Sequence, residues 1–324
     1  PRTCGPYTFD SRLVNQIVLK RNEHHIPKVV SKILTIKVIQ DEITRAAKLE
    51  KGELDLVQNG FSGETINRLS KVPSLKVMNA PAQKVSYLGF NLNDPVLKNL
   101  HVRKAIDLAI NREAIVTHLL KGYAIPAATI LPPDNEFYLS KLSPTKQDLA
   151  KAKALLLQSG LTAGGKRLRF VLSITSGSSR RQAVAQAIAS DLRKIGVELD
   201  IRTFDWGKFK ADVDQGHVQM WLLDWIGFKD PDIYHYVFST QSFPPEGGNR
   251  GRFSNPTLDA LLDKGRMTLD AKGRKELYFQ TQEIIYENVP YAFLFHENNI
   301  VVSTNNIKNY TIYADGRYRS VIQS

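Results

Sequence analysis

The chain has 324 residues, 42% of them hydrophobic and 23% charged, with a formal net charge of +12. That length predicts two lobes or one large α/β domain, and the ordinary composition excludes a disordered or fibrous chain. No apolar run approaches the ~20 residues of a membrane helix, and the one cysteine, Cys4, excludes an internal disulfide and a Cys-based zinc site.

Lys and Arg are scattered along the whole length, and no helix-turn-helix, ribonucleoprotein or zinc-finger pattern accompanies them, so nucleic acid is not an expected partner. A basic exterior can still steer an anionic ligand. The histidines show no HExxH or other ligand spacing, and no metal or cofactor is indicated. The opening PRTCGPY is no signal peptide.

In chain order, Val14 to Leu19 and Ile33 to Ile39 read as strands with alternating β-branched residues. Asp41 caps a helix with Ile43, Ala46, Ala47 and Leu49 on one face, which Gly52 ends. Leu54 to Val57 is a short strand, Ser62 to Leu69 a capped helix and Leu75 to Met78 another strand, a β-α-β-α-β arrangement with few strands for its length. Lys84 to Leu92 is a further strand; Asn99 caps a helix to Ile110, which Asn111 restarts and Gly122 stops. Pro126 to Asp134 reads as a loop, and Ser143-Pro144 opens a helix that ends before Gly160.

From Leu168 the alternation is regular. Strand Leu168 to Ile174, helix Arg180 to Ile195, strand Val197 to Arg202, helix Trp206 to Asp214 and strand Val218 to Leu223 predict an α/β layer architecture with a largely parallel sheet. Helices follow from Asn255 to Arg266 and from Asp270 to Glu287, then strands Tyr291 to Phe295 and Ile300 to Val302 and an irregular tail.

The stretch from Trp221 to Phe253 stands out. After an apolar strand it reads as a loop with Asp224, Asp230 and Asp232 among Trp225, Phe228, Tyr234 and Tyr236, then a Gly-rich turn with Arg250 and Arg252. Rings beside carboxylates and guanidiniums suit a mixed apolar and charged small ligand, and a loop cannot bury that many rings against its own core, so some are expected to face a cleft. The loop follows a strand's carboxyl end, where ligands sit in open α/β sheets. Catalysis is not expected: there is no GxSxG elbow, Gly164-Gly165-Lys166 lacks the phosphate-loop spacing, and clustered Asp residues are commonly turn-formers.

YLGFNLNDPVLKNLHVRKAIDLAINREAIVTHLLKGYAIPAATILPP resembles the hinge strand and first large-lobe helices of family 5 extracytoplasmic solute-binding proteins, the receptors of peptide and nickel ABC importers. GPYTF, KVIQDEITRAAKLEKGELDLV, DLAKAKALLLQSG, DWIGFKDPD and FSNPTLDALLDKG are similar to successive landmarks of that family, in order. The resemblance implies a periplasmic-binding-protein-like two-lobed fold of type II, cluster C-like. The long segment that precedes GPY in the family is lacking, so the first lobe is expected to be incomplete, with the remainder absent or on another polypeptide.

Residues 1–87 are expected in the first lobe, 88–296 in the second and 297–324 in a return crossing. The implied function is capture of an oligopeptide or peptide-like solute and its delivery to ABC permease subunits, in the periplasm or another extracytoplasmic space, with a membrane-anchored precursor also open. A hydrolase or other enzyme on the same scaffold and a protein-interaction module are the alternatives. Family peptide receptors carry an Asp three residues after the loop tryptophan for a ligand ammonium. Phe228 holds that position here, leaving Asp224, Asp230 or Asp232 for the role, or a ligand with no free amine. Arg250 and Arg252 are candidates for a ligand carboxylate. Phe90 and Asn91 join the site by position, at the end of the hinge strand.

Overall fold

The computed structural model describes residues 5–26 and 29–322, so Cys4 lies outside the described residues. The chain forms two units, one of the residues up to Ala82 with those from Asn298 on, the other Gln83–Glu297.

The first unit opens with a three-stranded antiparallel sheet, β1 (Tyr7–Leu13), β2 (Gln16–Arg21) and β3 (Ile33–Lys37). The polar residues of YTFDSRL concealed β1 from a reading by alternation, so a three-stranded meander whose last strand begins the expected β-α-β-α-β order stands where two strands were read. Cross-strand register places Phe9, Leu19 and Leu34 in one row, and Ile17 beside Ile36 on the same face. α1 (Glu42–Glu50) is capped by Asp41, whose carboxylate accepts from the Thr44 amide at 2.7 Å, and it buries Ala46 and Leu49. α2 (Gly63–Leu69) is capped by Ser62. β4 (Leu56–Gln58) pairs antiparallel with Val301, Val302 and Ser303 of β10 (Tyr291–Thr304).

β10 and β5 (Leu75–Phe90) each run on from one unit into the other. The sequence had split each into two shorter strands at polar residues, but ladder pairing carries the backbone through.

In the second unit, β5 pairs antiparallel with β9 (Met220–Ile226), which lies beside β7 (Leu168–Thr175) and then β8 (Val197–Phe204). Among the described residues only β8, β7 and β9 pair in parallel while β5 pairs antiparallel with β9, so the expectation of a largely parallel sheet is corrected to a mixed one. The reason is connectivity: α6 (Ser179–Arg193) and α7 (Trp206–Gln215) supply the crossovers between those three strands, and β5 has none. α7 ends on Gly216, whose φ of 76° is open to glycine at little cost. The short β6 (Ala124–Pro126) pairs with β10.

Both faces of the sheet are covered. Leu88, Leu172, Met220 and Leu222 belong to one core with α3 (Leu100–Ala109) and α6. Val85, Tyr87 and Trp221 belong to the other, with α8 (Ile233–Phe238), α9 (Pro256–Met267) and α10 (Ala271–Asn288). Strands buried on two faces read as nearly continuous apolar runs, which is how β5 and β9 read.

Asn99 and Asn111 cap α3 and α4 (Arg112–Ala114) as the sequence predicts. The helix expected from Ser143-Pro144 begins later: α5 (Leu149–Gln158) is capped by Asp148. The intervening residues are drawn to α3, with Thr145 Oγ1 donating to Asp107 at 2.7 Å and Gln147 Nε2 to the Ala109 carbonyl at 2.8 Å. Tertiary hydrogen bonds there override local helix preference.

Candidate functional site

The site is built where β5 and β9 run side by side, with Ser86 opposite Asp224 and Val85 opposite Trp225. Asp224 and Trp225 are strand residues of β9, which corrects their expected place in a loop. Successive strand residues point to opposite faces, so the carboxylate and the indole serve two different surfaces.

On Asp224's face lies a charge cluster. Asp224 meets Lys84 at 3.5 Å and Arg181 at 3.1 Å; Glu297 meets Lys84 at 2.9 Å and Arg180 at 2.5 Å. The Ser86 hydroxyl lies between the two carboxylates, hydrogen-bonded to Asp224 and 3.1 Å from Glu297. Arg181 also donates to the Thr175 hydroxyl at the end of β7. Burial alone would push the Asp224 carboxyl up, but Lys84, Arg181 and the Ser86 hydroxyl outweigh it and hold it below the usual carboxylate range. The cluster lines an open pocket of about 20 Å³, room for about one water.

On Trp225's face lies an aromatic wall. Trp225 is parallel to Tyr87, with ring centroids 6.1 Å apart, and Tyr87 stacks on Tyr291 at 4.2 Å. Tyr236 from α8 meets Trp225 edge-on at 5.8 Å, and the Arg250 guanidinium lies over the indole at 5.0 Å. The hydroxyls of Tyr87 and Tyr291 and the indole N–H groups of Trp221 and Trp225 face inward without a well-formed hydrogen bond. Burial, with Asp224 adding to it, pushes the Tyr87 hydroxyl up, against the lowering effect of Arg250, so the phenol stays neutral. The Gly-rich turn fits over this wall because it lacks side chains: a Cβ on Gly248 would lie 2.6 Å from Trp225 Cη2.

Most rings of the stretch do not face a cleft. Trp221, Phe228, Tyr234, Phe238 and Phe253 are core residues, because α8 folds the expected loop back against α9 and α10. Tyr236 is 44% exposed and Trp225 half-buried. Phe90 is fully buried, and Tyr234 is fixed by a 2.7 Å hydrogen bond between its hydroxyl and that of Thr129. Asn91 donates its amide to the Gly216 and Val218 carbonyls at 2.9 and 3.0 Å. Arg250 Nε donates to Asp214 at 2.8 Å and Arg252 donates to the Asp214 carbonyl at 2.6 Å. Asp230 pairs with Arg274 at 2.8 Å and Asp232 with Arg266 at 3.0 Å.

Sequence reasoning passed over Lys84, Tyr87, Arg180, Arg181 and Glu297. Two signals were there. Lys84 and Glu297 interrupt or end apolar strands, and Arg180-Arg181 sits in the first turn of α6, where the helix dipole disfavours cations unless carboxylates face them. No cluster of metal-ligating side chains occurs among the described residues.

Residues 1–244 match the family described as bacterial extracellular solute-binding proteins, family 5 Middle. The chain is 26% identical over 289 residues to the dipeptide-binding protein of Escherichia coli K12, covering 88% of this chain and 54% of that protein. Among solved structures it is similar to the Helicobacter pylori periplasmic binding protein DppA in complex with the peptide STSA. There the TM-score is 0.87 at 28% identity, over 95% of this chain and 60% of that one. It is also similar to NikZ of Campylobacter jejuni in complex with Ni(L-His), with a TM-score of 0.86 at 27% identity, over 98% of this chain and 67% of that one. The chain thus spans a little over half the length of the curated relatives it matches.

Proposed function

Because the chain belongs to family 5 of the bacterial extracellular solute-binding proteins, we propose that it is part of the substrate-binding component of an ABC importer and takes a peptide or peptide-like solute. The family consists of extracytoplasmic receptors, and its named relatives are binding proteins rather than enzymes, so the hydrolase alternative is not favoured. Delivery to permease subunits, a companion N-terminal polypeptide and membrane anchoring of a precursor belong to the same proposal.

The observation that carries the reading is the Trp225 wall: a half-buried indole backed by Tyr87, edged by Tyr236 and held by Arg250. Such a surface accepts planar amide groups and apolar side chains by stacking. Of the residues read from the sequence, Trp225 is assigned ligand contact and Asp224 the electrostatic balance behind it. Arg250 and Arg252 position the turn through Asp214. Asp230 and Asp232 fasten the segment before α8, Phe228 and Tyr234 pack beneath the wall, Phe90 lies in the core of the opposite sheet face, and Asn91 ties β5 to the turn after α7.

Calorimetric titration with a panel of di- to tetrapeptides, alone and with the companion polypeptide, tests this. Trp225→Ala is expected to weaken the bound peptide by about tenfold or more while far-UV circular dichroism stays unchanged. Affinity indifferent to that substitution would remove the wall from the site.

A further inference from the structure

A second pocket lies in the Gln83–Glu297 unit, between α3, α5 and α10, with a volume of about 310 Å³. Tyr291 lines it, and the same ring stacks on Tyr87 at 4.2 Å, so a tyrosine separates this pocket from the Trp225 wall. Its volume is at the lower end of small-molecule sites, about 300–1,000 Å³. A ligand of roughly ten non-hydrogen atoms fits it, taking ~30 Å³ for each water-sized group.

The polar side chains of its lining decide what that ligand is. Arg112 commits four of its five N–H donors, to the Phe293 carbonyl at 2.6 Å, to the Asp107 and Thr145 carbonyls and to the Asp107 carboxylate. The other Asp107 oxygen accepts from Thr145 Oγ1, and the Tyr286 hydroxyl donates to the Ser143 carbonyl at 3.0 Å. Only Lys104 on α3 and Lys151 on α5 line the pocket with ammonium groups that have no partner among the described residues. The remaining wall is apolar, including Leu108, Leu155, Ile285, Val289 and Phe293.

We propose that this pocket is a binding site for a small carboxylate with an apolar body, an acyl or aryl acid, whose carboxylate takes the Lys104 and Lys151 ammoniums while its body lies on the Leu108–Phe293 wall. With most neighbouring donors already committed within the fold, a polyhydroxylated ligand would lose more hydrogen bonds to water than it gains here. The two lysines line the same pocket from helices that pack against each other.

Octanoate is the probe, titrated calorimetrically into the intact chain at low ionic strength, where exposed charges are least screened. Saturable binding near one equivalent is expected, with octan-1-ol roughly tenfold weaker or worse. The double substitution Lys104→Glu/Lys151→Glu is expected to lower octanoate affinity by a similar factor, and Leu155→Trp, which puts a larger side chain into the lining, to abolish it. Both lysines are outside the core, so the double variant keeps its fold, as a melting curve would verify. Absence of saturable octanoate binding, equal affinity for octan-1-ol, or affinity unchanged in the lysine variant would overturn the assignment.

Discussion

His296 is 3% exposed in β10, and neither ring nitrogen reaches a good hydrogen bond. Burial pushes its pKa down to about 4, opposed only by the Lys84 backbone. An unfolded histidine titrates near 6.5, so between these values the unfolded chain binds the proton that the folded chain refuses. The stability tied to the neutral ring is therefore complete above about pH 6.5 and is lost as pH falls towards 4. From pH 7 to pH 5 the urea-unfolding free energy is expected to fall by about 2 kcal/mol more in this chain than in His296→Phe. Equal losses in the two proteins would show that another group carries the acid sensitivity. Asp224, held below its usual range by Lys84 and Arg181, adds a second loss only at more acid pH, as its carboxylate becomes protonated.

The pairing of β5 with β9 decides which side chain serves which surface. Gly89 lies opposite Trp221, and a Cβ there would come within 2.2 Å of Trp221 Cε2. The glycine is therefore what lets the buried indole cross its neighbouring strand. Gly89→Ala is expected to cost about 3 kcal/mol by overpacking, read as a lowered urea midpoint at unchanged slope. A change under about 0.5 kcal/mol, the usual range of a neutral surface substitution, would mean that the strands yield there. The same register carries Trp225 four residues along, so Gly89→Ala is also expected to disturb the peptide binding proposed for the Trp225 wall.

At the scale of the whole molecule, the first unit's small sheet is unfinished on one face. Phe9, 55% exposed, and Ile36, 48% exposed, flank the half-buried Ile17, Leu19 and Leu34. A row of apolar side chains of that kind marks an interaction surface or an aggregation liability. Binding of an apolar fluorescent dye is expected to fall in Phe9→Ser/Ile36→Ser with no change in the melting of the second unit; dye binding that persists in full would place the accessible apolar surface elsewhere. Among the described residues no helix is long and apolar enough to cross a membrane.

Local chemistry wrote much of this protein into its sequence: the caps Asp41, Ser62, Asn99, Asn111 and Asn255 and the β7-α6-β8-α7-β9 alternation all depend on residues within a few positions of one another. Family membership was equally legible, through landmarks in order. Tertiary structure alone decided the rest. That Asp224 turns to Lys84, Arg181 and Ser86 while Trp225 turns to Tyr87 follows from a strand register joining residues some 140 positions apart. That Arg112 spends its donors within the fold while the Lys104 and Lys151 ammoniums do not follows from where β10 and the segment before α5 come to lie. Caps and periodicity act over one or two turns of chain, but pairing across a sheet and the satisfaction of buried charge depend on which distant segments fold against one another.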